Sequence, residues 1–233
     1  MTNSVSSATK NPGRWGMLTV VSLGIMTLTL NWFDVATAFP LIGKEFHVGL
    51  GSLSYLISLY IVGYGLSHVP GGMLATRIGM KRVLVLGLLV QGLAGVMSGL
   101  SYNYTELALF RVASGIGGSV FVAMGTAAMF VWFDENHLTL ALGITGGAAF
   151  SAGAGFALYV WVYVQDATSW HASLILAGVI ELIVMLITLA DSRGRRNTFH
   201  LTEDKSVHWR CDGSLSEYVR RNARRDLGSL CCR

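Results

Sequence analysis

The sequence is poor in charged residues, proline and cysteine. Charged residues make up 13% of its 233 residues, about half of the roughly 25% found in an average soluble domain. So few charges cannot cover a soluble surface, which excludes a cytosolic enzyme and a disordered chain. Three prolines exclude a proline-rich linker. The three cysteines, at positions 211, 231 and 232, lie too late in the chain to form a disulfide framework for its body.

Apolar residues and glycine are abundant instead, at 52% hydrophobic residues and 28 glycines. A bilayer core requires about 20 apolar residues per spanning helix. Runs of that order predict an all-α integral membrane protein with six transmembrane helices. The predicted helices cover residues 15–39, 50–70, 83–101, 105–132, 138–165 and 172–190. Frequent glycine is typical of helices that pack closely in lipid.

The basic residues predict the orientation of these helices. Lys10 and Arg14 precede the first one, which places the N-terminus in the cytoplasm by the positive-inside rule. Cations recur between the second and third helices, at residues 77–82, and after the sixth, at residues 193–196, whereas Lys44 is the only cation in the outer connections. We therefore expect both termini in the cytoplasm and the protein in the plasma (inner) membrane, with the lipid bilayer as its first partner.

The segment from Gly71 to Arg82 resembles the cytoplasmic signature loop of the major facilitator superfamily. The residues that have the family's spacing are Gly72, Arg77, Gly79, Lys81 and Arg82, while Thr76 stands where the family usually has aspartate. Gly79 permits a tight turn at positive φ, and we expect Gly72 to let a neighbouring helix approach. The cations suit a cytoplasmic gate that pairs with acids or helix C-termini. Taken alone, they also fit a simple positive-inside anchor.

Two further segments resemble the same family. Arg111, Gly115 and Gly118 are similar to its Arg-x-x-x-Gly-x-x-Gly pattern in the fourth helix. An arginine inside a span is costly unless it is paired or faces water, so it is a functional candidate. In the first helix, Asp34 is followed by Pro40, which we expect to end that helix.

The depths of the two charges predict an ion pair. Asp34 lies about 8–9 Å inside the outer end of the first helix, and Arg111 about 9 Å inside the same face, at 1.5 Å per residue. We expect them to meet in the outer half of a central cavity. In one interpretation the pair only satisfies two embedded charges. In the other it couples transport to substrate or protons, because neutralising Asp34 would free Arg111 for an anionic ligand. Arg111 thereby weakly favours an anionic solute.

The resemblance covers about residues 15–190, the N-terminal half of a twelve-helix fold. It implies two inverted three-helix repeats, with helices one, two, four and five lining a cavity and helices three and six at the periphery. It further implies transport of a small solute by alternating access, with proton coupling as one option. A second six-helix half, or a second copy of this chain, would complete the cavity.

The fifth and sixth helices add weaker signals. The fifth contains five glycines, which we assign to close packing and bending: Gly143, Gly146, Gly147, Gly153 and Gly155. It lacks the Gly-Pro pair of the family's antiporter motif, so an exporter-type antiporter is not supported. On the sixth helix, Glu181 is either protonated, or paired with a second half, or part of a proton relay.

Enzymatic and nucleic-acid functions find little support. Ser114 and Ser119 lie in a glycine-rich part of the fourth helix, but we expect no histidine at membrane depth to activate them. His68 and His171 are assigned to the membrane interfaces. No Cys/His metal spacing or phosphate loop occurs, so neither metal nor cofactor is expected. The cations of the tail suit lipid headgroups better than nucleic acid.

The sequence divides into a tail at residues 1–14, the six-helix part at 15–190 and a second tail at 191–233. The second tail holds seven of the 17 lysines and arginines, from Lys205 onward, and all three cysteines. An out-of-frame extension after Asp191 is one explanation. The alternatives are a natural half-transporter, active as a dimer or with a second chain, and either a deliberately truncated chain or a genuine fragment of the family's central loop. A truncated membrane remnant without transport activity is the rival to transport.

Overall fold

The computed structural model describes residues 13–194, without the side chains of residues 135 and 191–194. The predicted C-terminal tail lies almost entirely outside the described residues. The described chain forms seven α-helices and one π-helical segment. In order they are α1 (Arg14–Glu45), α2 (Leu50–Ile78), α3 (Met80–Gly99), α4 (Tyr104–Trp132), α5 (Glu135–Leu142), the π-segment (Gly143–Ala149), α6 (Phe150–Ala167) and α7 (Trp170–Gly194).

Six stretches of the described chain are long and apolar enough to cross a membrane. They are α1, α2, α3, α4, the fifth span formed by α5, the π-segment and α6 together, and α7. The predicted all-α fold with six spans is confirmed, and each span lies where a long apolar run predicts it. Such spans are stable in lipid because a helix satisfies its backbone hydrogen bonds internally.

The prediction that Pro40 ends the first helix is wrong. Pro40 lies inside α1, which continues to Glu45. Proline removes one backbone hydrogen bond and tends to kink a helix, but the residues after it remain buried. Ile42 belongs to a core cluster with Val35 and Leu53, and Phe39 packs against that cluster. Burial of this apolar face on both sides of the proline keeps the helix continuous.

The signature segment is mostly helical rather than a loop. α2 runs through Gly71 and ends at Ile78, α3 starts at Met80, and Gly79 alone separates them. Gly79 has φ 89° and ψ 143°, so the predicted positive φ is confirmed. Its N–H donates to the carbonyl of Ala75 at 3.0 Å, and its carbonyl accepts from Val83 at 3.3 Å. These bonds satisfy backbone groups at the end of one helix and the start of the next.

Glycines bring the backbones of neighbouring spans together, as expected for packing in lipid. α4 lies between α2 and α3, while α1 packs against α6 and α7, and α7 also packs on α3. A methyl group at Gly63 in α2 would overlap the Val112 carbonyl in α4. The predicted close approach at Gly72 is wrong for this part of the protein, because a Cβ atom there meets no atom of residues 13–194 within 4 Å. Its neighbour Gly71 lies against Val120 instead.

The glycines of the fifth span only partly serve packing. Gly153 approaches a neighbouring helix, at Met26 and Thr29 of α1, whereas a Cβ atom at the other four positions meets no atom of residues 13–194 within 4 Å. Packing inside this part of the protein therefore explains Gly153, and the expected bending stays a prediction. Gly143, Gly146 and Gly147 lie in the π-segment, a helix form with i→i+5 hydrogen bonds that is frequent at functional sites.

Candidate functional site

Asp34 of α1 and Arg111 of α4 form a buried ion pair. Arg111 Nη1 lies 3.1 Å from Asp34 Oδ1, and the two side chains are 1% and 0% exposed. The same nitrogen donates to the carbonyl oxygen of Asn31 at 2.9 Å. The contact predicted from helix depths is therefore present, and neighbouring helices cover both charges.

The pair forms although α1 is longer than the depth argument assumed. Asp34 lies 11 residues before Glu45, or about 16 Å along the axis, whereas Arg111 lies seven residues after Tyr104, or about 10 Å. By this measure α1 extends further beyond the ion pair than α4 does at the same end of the bundle. The contact depends on the relative position of the helices rather than on equal distances from their ends.

Asn31 connects this pair to a second acid. Its Oδ1 accepts a hydrogen bond from Ser114 of α4 at 3.1 Å, and its Nδ2 donates to Glu181 Oε2 of α7 at 3.2 Å. Its backbone carbonyl meanwhile binds Arg111. One residue of α1 therefore joins α4 and α7 through a continuous buried polar network. Sequence reasoning missed Asn31, although an amide three residues before an intramembrane acid was an available signal.

Glu181 faces the interior of this six-helix part. Its side chain is fully buried and bound to Asn31. Pairing of Glu181 with a second half is therefore wrong, because α7 turns this side chain towards α1. A buried carboxyl group is costly unless it has hydrogen-bond partners, and Asn31 supplies one.

We expect Glu181→Leu to lower the free energy of unfolding by about 1–2 kcal/mol, because it leaves the Asn31 amide without an acceptor in a buried place. Glu181→Gln keeps an acceptor oxygen at the same position and is the matched control, which we expect to unfold like the parent chain. Denaturant titration in mixed micelles measures both. Equal destabilisation by the two variants would show that the hydrogen bond to Asn31 does not determine the contribution of Glu181 to the free energy of unfolding.

Gln165 of α6 ties a fourth span to the region that already joins α1, α4 and α7. Its Nε2 lies 3.2 Å from the carbonyl of Asp34, 3.0 Å from Thr37 Oγ1 and 3.1 Å from Ser173 Oγ of α7. Trp161, one turn earlier, donates from Nε1 to the carbonyl of Leu30 at 3.0 Å. Sequence reasoning also missed Gln165. Its signal was a lone amide within a charge-free run.

Several buried polar atoms of this network have no hydrogen-bond partner within residues 13–194. They are Asp34 Oδ2, Arg111 Nε, Arg111 Nη2 and Glu181 Oε1. Buried polar atoms are nearly always bonded, and those that are not often belong to functional sites. The carboxylate and guanidinium thus retain capacity to bind a proton, water or a polar group of a solute.

The predicted cytoplasmic gating residues lie at the joint between α2 and α3. Arg77 and Arg82 are exposed, and Lys81 is half-buried. Thr76, which stands at the family's aspartate position, donates to the carbonyl of Met73 at 2.7 Å. Thr76 is therefore bonded within its own helix.

At the start of the described chain, Arg14 lies 3.9 Å from Asp134 in the connection between α4 and α5. Trp15 meets Phe133 edge to face, with ring centroids 6.0 Å apart. The beginning of α1 and the end of α4 therefore lie at the same end of the helix bundle. Four consecutive spans that cross the membrane in alternating directions, as predicted for this chain, require the start of the first and the end of the fourth to lie on the same side.

The expectation that no histidine reaches the serines of α4 is wrong. His68 Nδ1 lies 3.0 Å from Ser119 Oγ, because α2 continues ten residues beyond His68 and places it within the helix. The His68 ring packs on Tyr64, with centroids 5.6 Å apart. Among the described residues, no three His, Cys, Asp or Glu side chains are grouped closely enough to hold a metal ion.

Comparisons with known proteins agree with this architecture. The chain is 25% identical over 185 residues to the tetracenomycin C resistance and export protein of Streptomyces glaucescens, covering 78% of this chain and 34% of that protein. It is 27% identical over 197 residues to the hexuronate transporter of Escherichia coli K12, covering 82% and 44%. The D-galactonate transporter of Escherichia coli O6:H1 is 25% identical over 222 residues, covering 93% and 51%.

A crystal structure shares the fold. It is that of a bacterial homologue of the human lysosomal transporter Spinster, in an inward-facing and unoccupied conformation, with a TM-score of 0.65 and 17% identity. The match covers 77% of this chain and 43% of that one. The chain thus spans from about a third to about half the length of the relatives reported. The profile of the Major Facilitator Superfamily matches residues 21–227, and the chain belongs to this family of membrane transport proteins.

Proposed function

We propose that this chain forms a six-helix half of a transporter that moves a small solute across the plasma (inner) membrane by alternating access. The observation that carries this proposal is the buried pair of Asp34 and Arg111. Charges inside a span are costly and are typically retained for transport or proton relay. Here the pair lies between two helices from different parts of the chain.

In the proposed mechanism the ion pair couples solute movement to protons. Protonation of Asp34 removes its negative charge and the attraction that holds Arg111 Nη1 at 3.1 Å. The guanidinium, with Nε and Nη2 not hydrogen-bonded in the described structure, then becomes available to a solute. Asn31 and Glu181 keep α1, α4 and α7 in contact during this exchange.

The exposed sides of two spans suit a second six-helix half. In the most apolar 18-residue stretches of α2 and the fifth span, 22% and 17% of the residues are buried. The corresponding stretches of α1, α3 and α4 have 56–61% of their residues buried. A separate chain or a second copy of this one supplies the missing cover. Gly72, Arg77, Gly79, Lys81 and Arg82 then form the cytoplasmic gate, with both termini on that side.

We expect proteoliposomes that contain this chain to accumulate one solute of a panel made from hexuronate, D-galactonate and tetracenomycin C, the solutes named for its relatives. An acidic exterior should accelerate uptake, because protonation of Asp34 is part of the proposed cycle. Asp34→Asn should abolish the dependence on the pH gradient. Radiolabelled uptake with and without the gradient measures both effects.

Two controls accompany this assay. Asp166→Asn changes a carboxylate near the end of the fifth span, outside the buried network, and should leave the gradient dependence unchanged. Uptake that responds to the gradient equally in the parent chain and in Asp34→Asn would contradict proton coupling at this residue. Absence of uptake, also when the chain is reconstituted with a second six-helix half of a relative, would favour the non-transporting remnant.

A further inference from the structure

A column of aromatic rings occupies one face of α2. Tyr60, Tyr64 and His68 follow each other at intervals of four residues, the spacing that places side chains above one another on a helix. The ring centroids of Tyr60 and Tyr64 are 6.4 Å apart with an interplanar angle of 21°, and those of Tyr64 and His68 are 5.6 Å apart at 41°. These distances lie within the range of offset aromatic stacking.

Two other spans add rings to the column. Trp32 of α1 stacks on Tyr60 at 5.1 Å and on Tyr64 at 6.0 Å, with interplanar angles of 27° and 29°. Phe150, the first residue of α6 after the π-segment, meets Trp32 edge to face at 6.1 Å and 85°. Five rings from three spans therefore form one continuous aromatic surface.

Hydrogen bonds hold both ends of the column. The buried Tyr60 hydroxyl lies 3.5 Å from Gln91 Nε2 of α3, and His68 is bonded to Ser119 of α4. Trp32, Tyr64 and Phe150 are half-buried, and His68 is exposed. Their rings are held in place by neighbours while part of each remains accessible.

The positions of Trp32, Tyr64 and Phe150 do not fit aromatic residues of the membrane interface. Trp32, Tyr64 and Phe150 each lie within three residues of the middle of their span, whereas aromatic belts occur at span ends, where headgroups begin. They are also absent from the buried core clusters around Ile42 and Trp161. Accessible rings at mid-depth, from three spans, are placed to contact a molecule that enters between those spans.

We propose that Trp32, Tyr64 and Phe150 form a stacking site for a solute with a planar aromatic ring system, an inference that rests on the proposed transport function. A planar ring gains from stacking on Trp32 and Tyr64 while Phe150 contacts its edge. In this structure Arg111 is 1% exposed and paired with Asp34. The accessible rings therefore offer the first contact to a solute, and the guanidinium becomes available only after Asp34 is protonated.

Equilibrium binding to the full 233-residue chain in lipid nanodiscs tests this site. Riboflavin, an uncharged compound with a planar tricyclic ring system, and methyl viologen, with two charged aromatic rings, are the aromatic probes, and D-galactonate is the non-aromatic one. We expect at least one aromatic probe to bind and D-galactonate to bind more weakly. Trp32→Leu should weaken that binding about tenfold, and Trp32→Phe, which keeps a ring, should weaken it less.

Tyr55→Leu is the matched control, because Tyr55 is an exposed tyrosine on the same helix α2 outside the column. It should bind the aromatic probe like the parent chain, and unchanged helix content and elution volume show that all variants fold. Equal affinity of Trp32→Leu and the parent chain would overturn the stacking site. Preference for D-galactonate, or binding of neither aromatic probe, would also overturn it. Solute uptake in proteoliposomes then judges the transport proposal separately.

Discussion

Arg111→Gln will abolish solute uptake and lower the free energy of unfolding by about 3–5 kcal/mol, the cost of leaving one partner of a buried ion pair without the other. The substitution removes the guanidinium that lies 3.1 Å from Asp34 Oδ1 and that also binds the Asn31 carbonyl. Asp34 then remains buried without its cation, and must either bear an unpaired charge or take up a proton. Denaturant titration in mixed micelles gives the stability, and proteoliposome uptake gives the activity.

The double variant Asp34→Asn with Arg111→Gln separates the two consequences. It removes both charges, so neither residue is left as an unpaired buried charge, which is the main cost of breaking such a pair. We expect it to recover most of the lost stability while uptake stays absent. A double variant as unstable as Arg111→Gln would show that the pair contributes through shape rather than charge. Recovered uptake would exclude the pair from the transport mechanism.

Gly63→Leu will disrupt the packing of α2 on α4, with a loss of at least about 3 kcal/mol, at the upper end of the cost of overpacking a core. Any side chain at Gly63 overlaps the Val112 carbonyl, and a backbone atom cannot move aside as a flexible side chain does. The overlap also moves His68 of α2 away from Ser119 of α4, to which it is hydrogen-bonded. Thermal unfolding followed by size-exclusion chromatography measures the effect.

Gly65→Leu is a closely matched control, two residues further along the same helix. A Cβ atom at Gly65 meets no atom of residues 13–194 within 4 Å, and leucine has a higher helix propensity than glycine. We expect this variant to be as stable as the parent chain or slightly more stable. Similar losses for both variants would mean that the close backbone approach at Gly63 does not limit stability.

The spans could be predicted from the sequence because hydrophobic length is a strong signal. The turn at Gly79 was also predictable, since positive φ is accessible mainly to glycine. The pairing of Asp34 with Arg111 followed from two charges too costly to leave alone in lipid. In each case one physical requirement decides the outcome: the hydrophobic length of a span, the positive φ open to glycine, or the cost of an unpaired charge in lipid.

Other features could not be predicted because they depend on how the helices rotate. A span that is apolar on all sides does not reveal which face meets a neighbour, so the contacts of Asn31 and Gln165 were missed. The inward orientation of Glu181 was missed for the same reason. Continuation of α1 beyond Pro40 depends on burial around Ile42, and the π-segment depends on backbone hydrogen bonding.

The one-residue joint at Gly79 has a mechanical consequence. Gly79 is the one residue between α2 and α3. A change in the tilt of α2 therefore displaces the start of α3 directly. α3 in turn contacts α4 and α7 through glycine backbones, where a Cβ atom at Gly87 would lie 2.7 Å from the Phe121 nitrogen. A side chain at these glycines would force the helices apart. The joint at Gly79 and the glycine contacts therefore connect α2, α3, α4 and α7 into one packed unit.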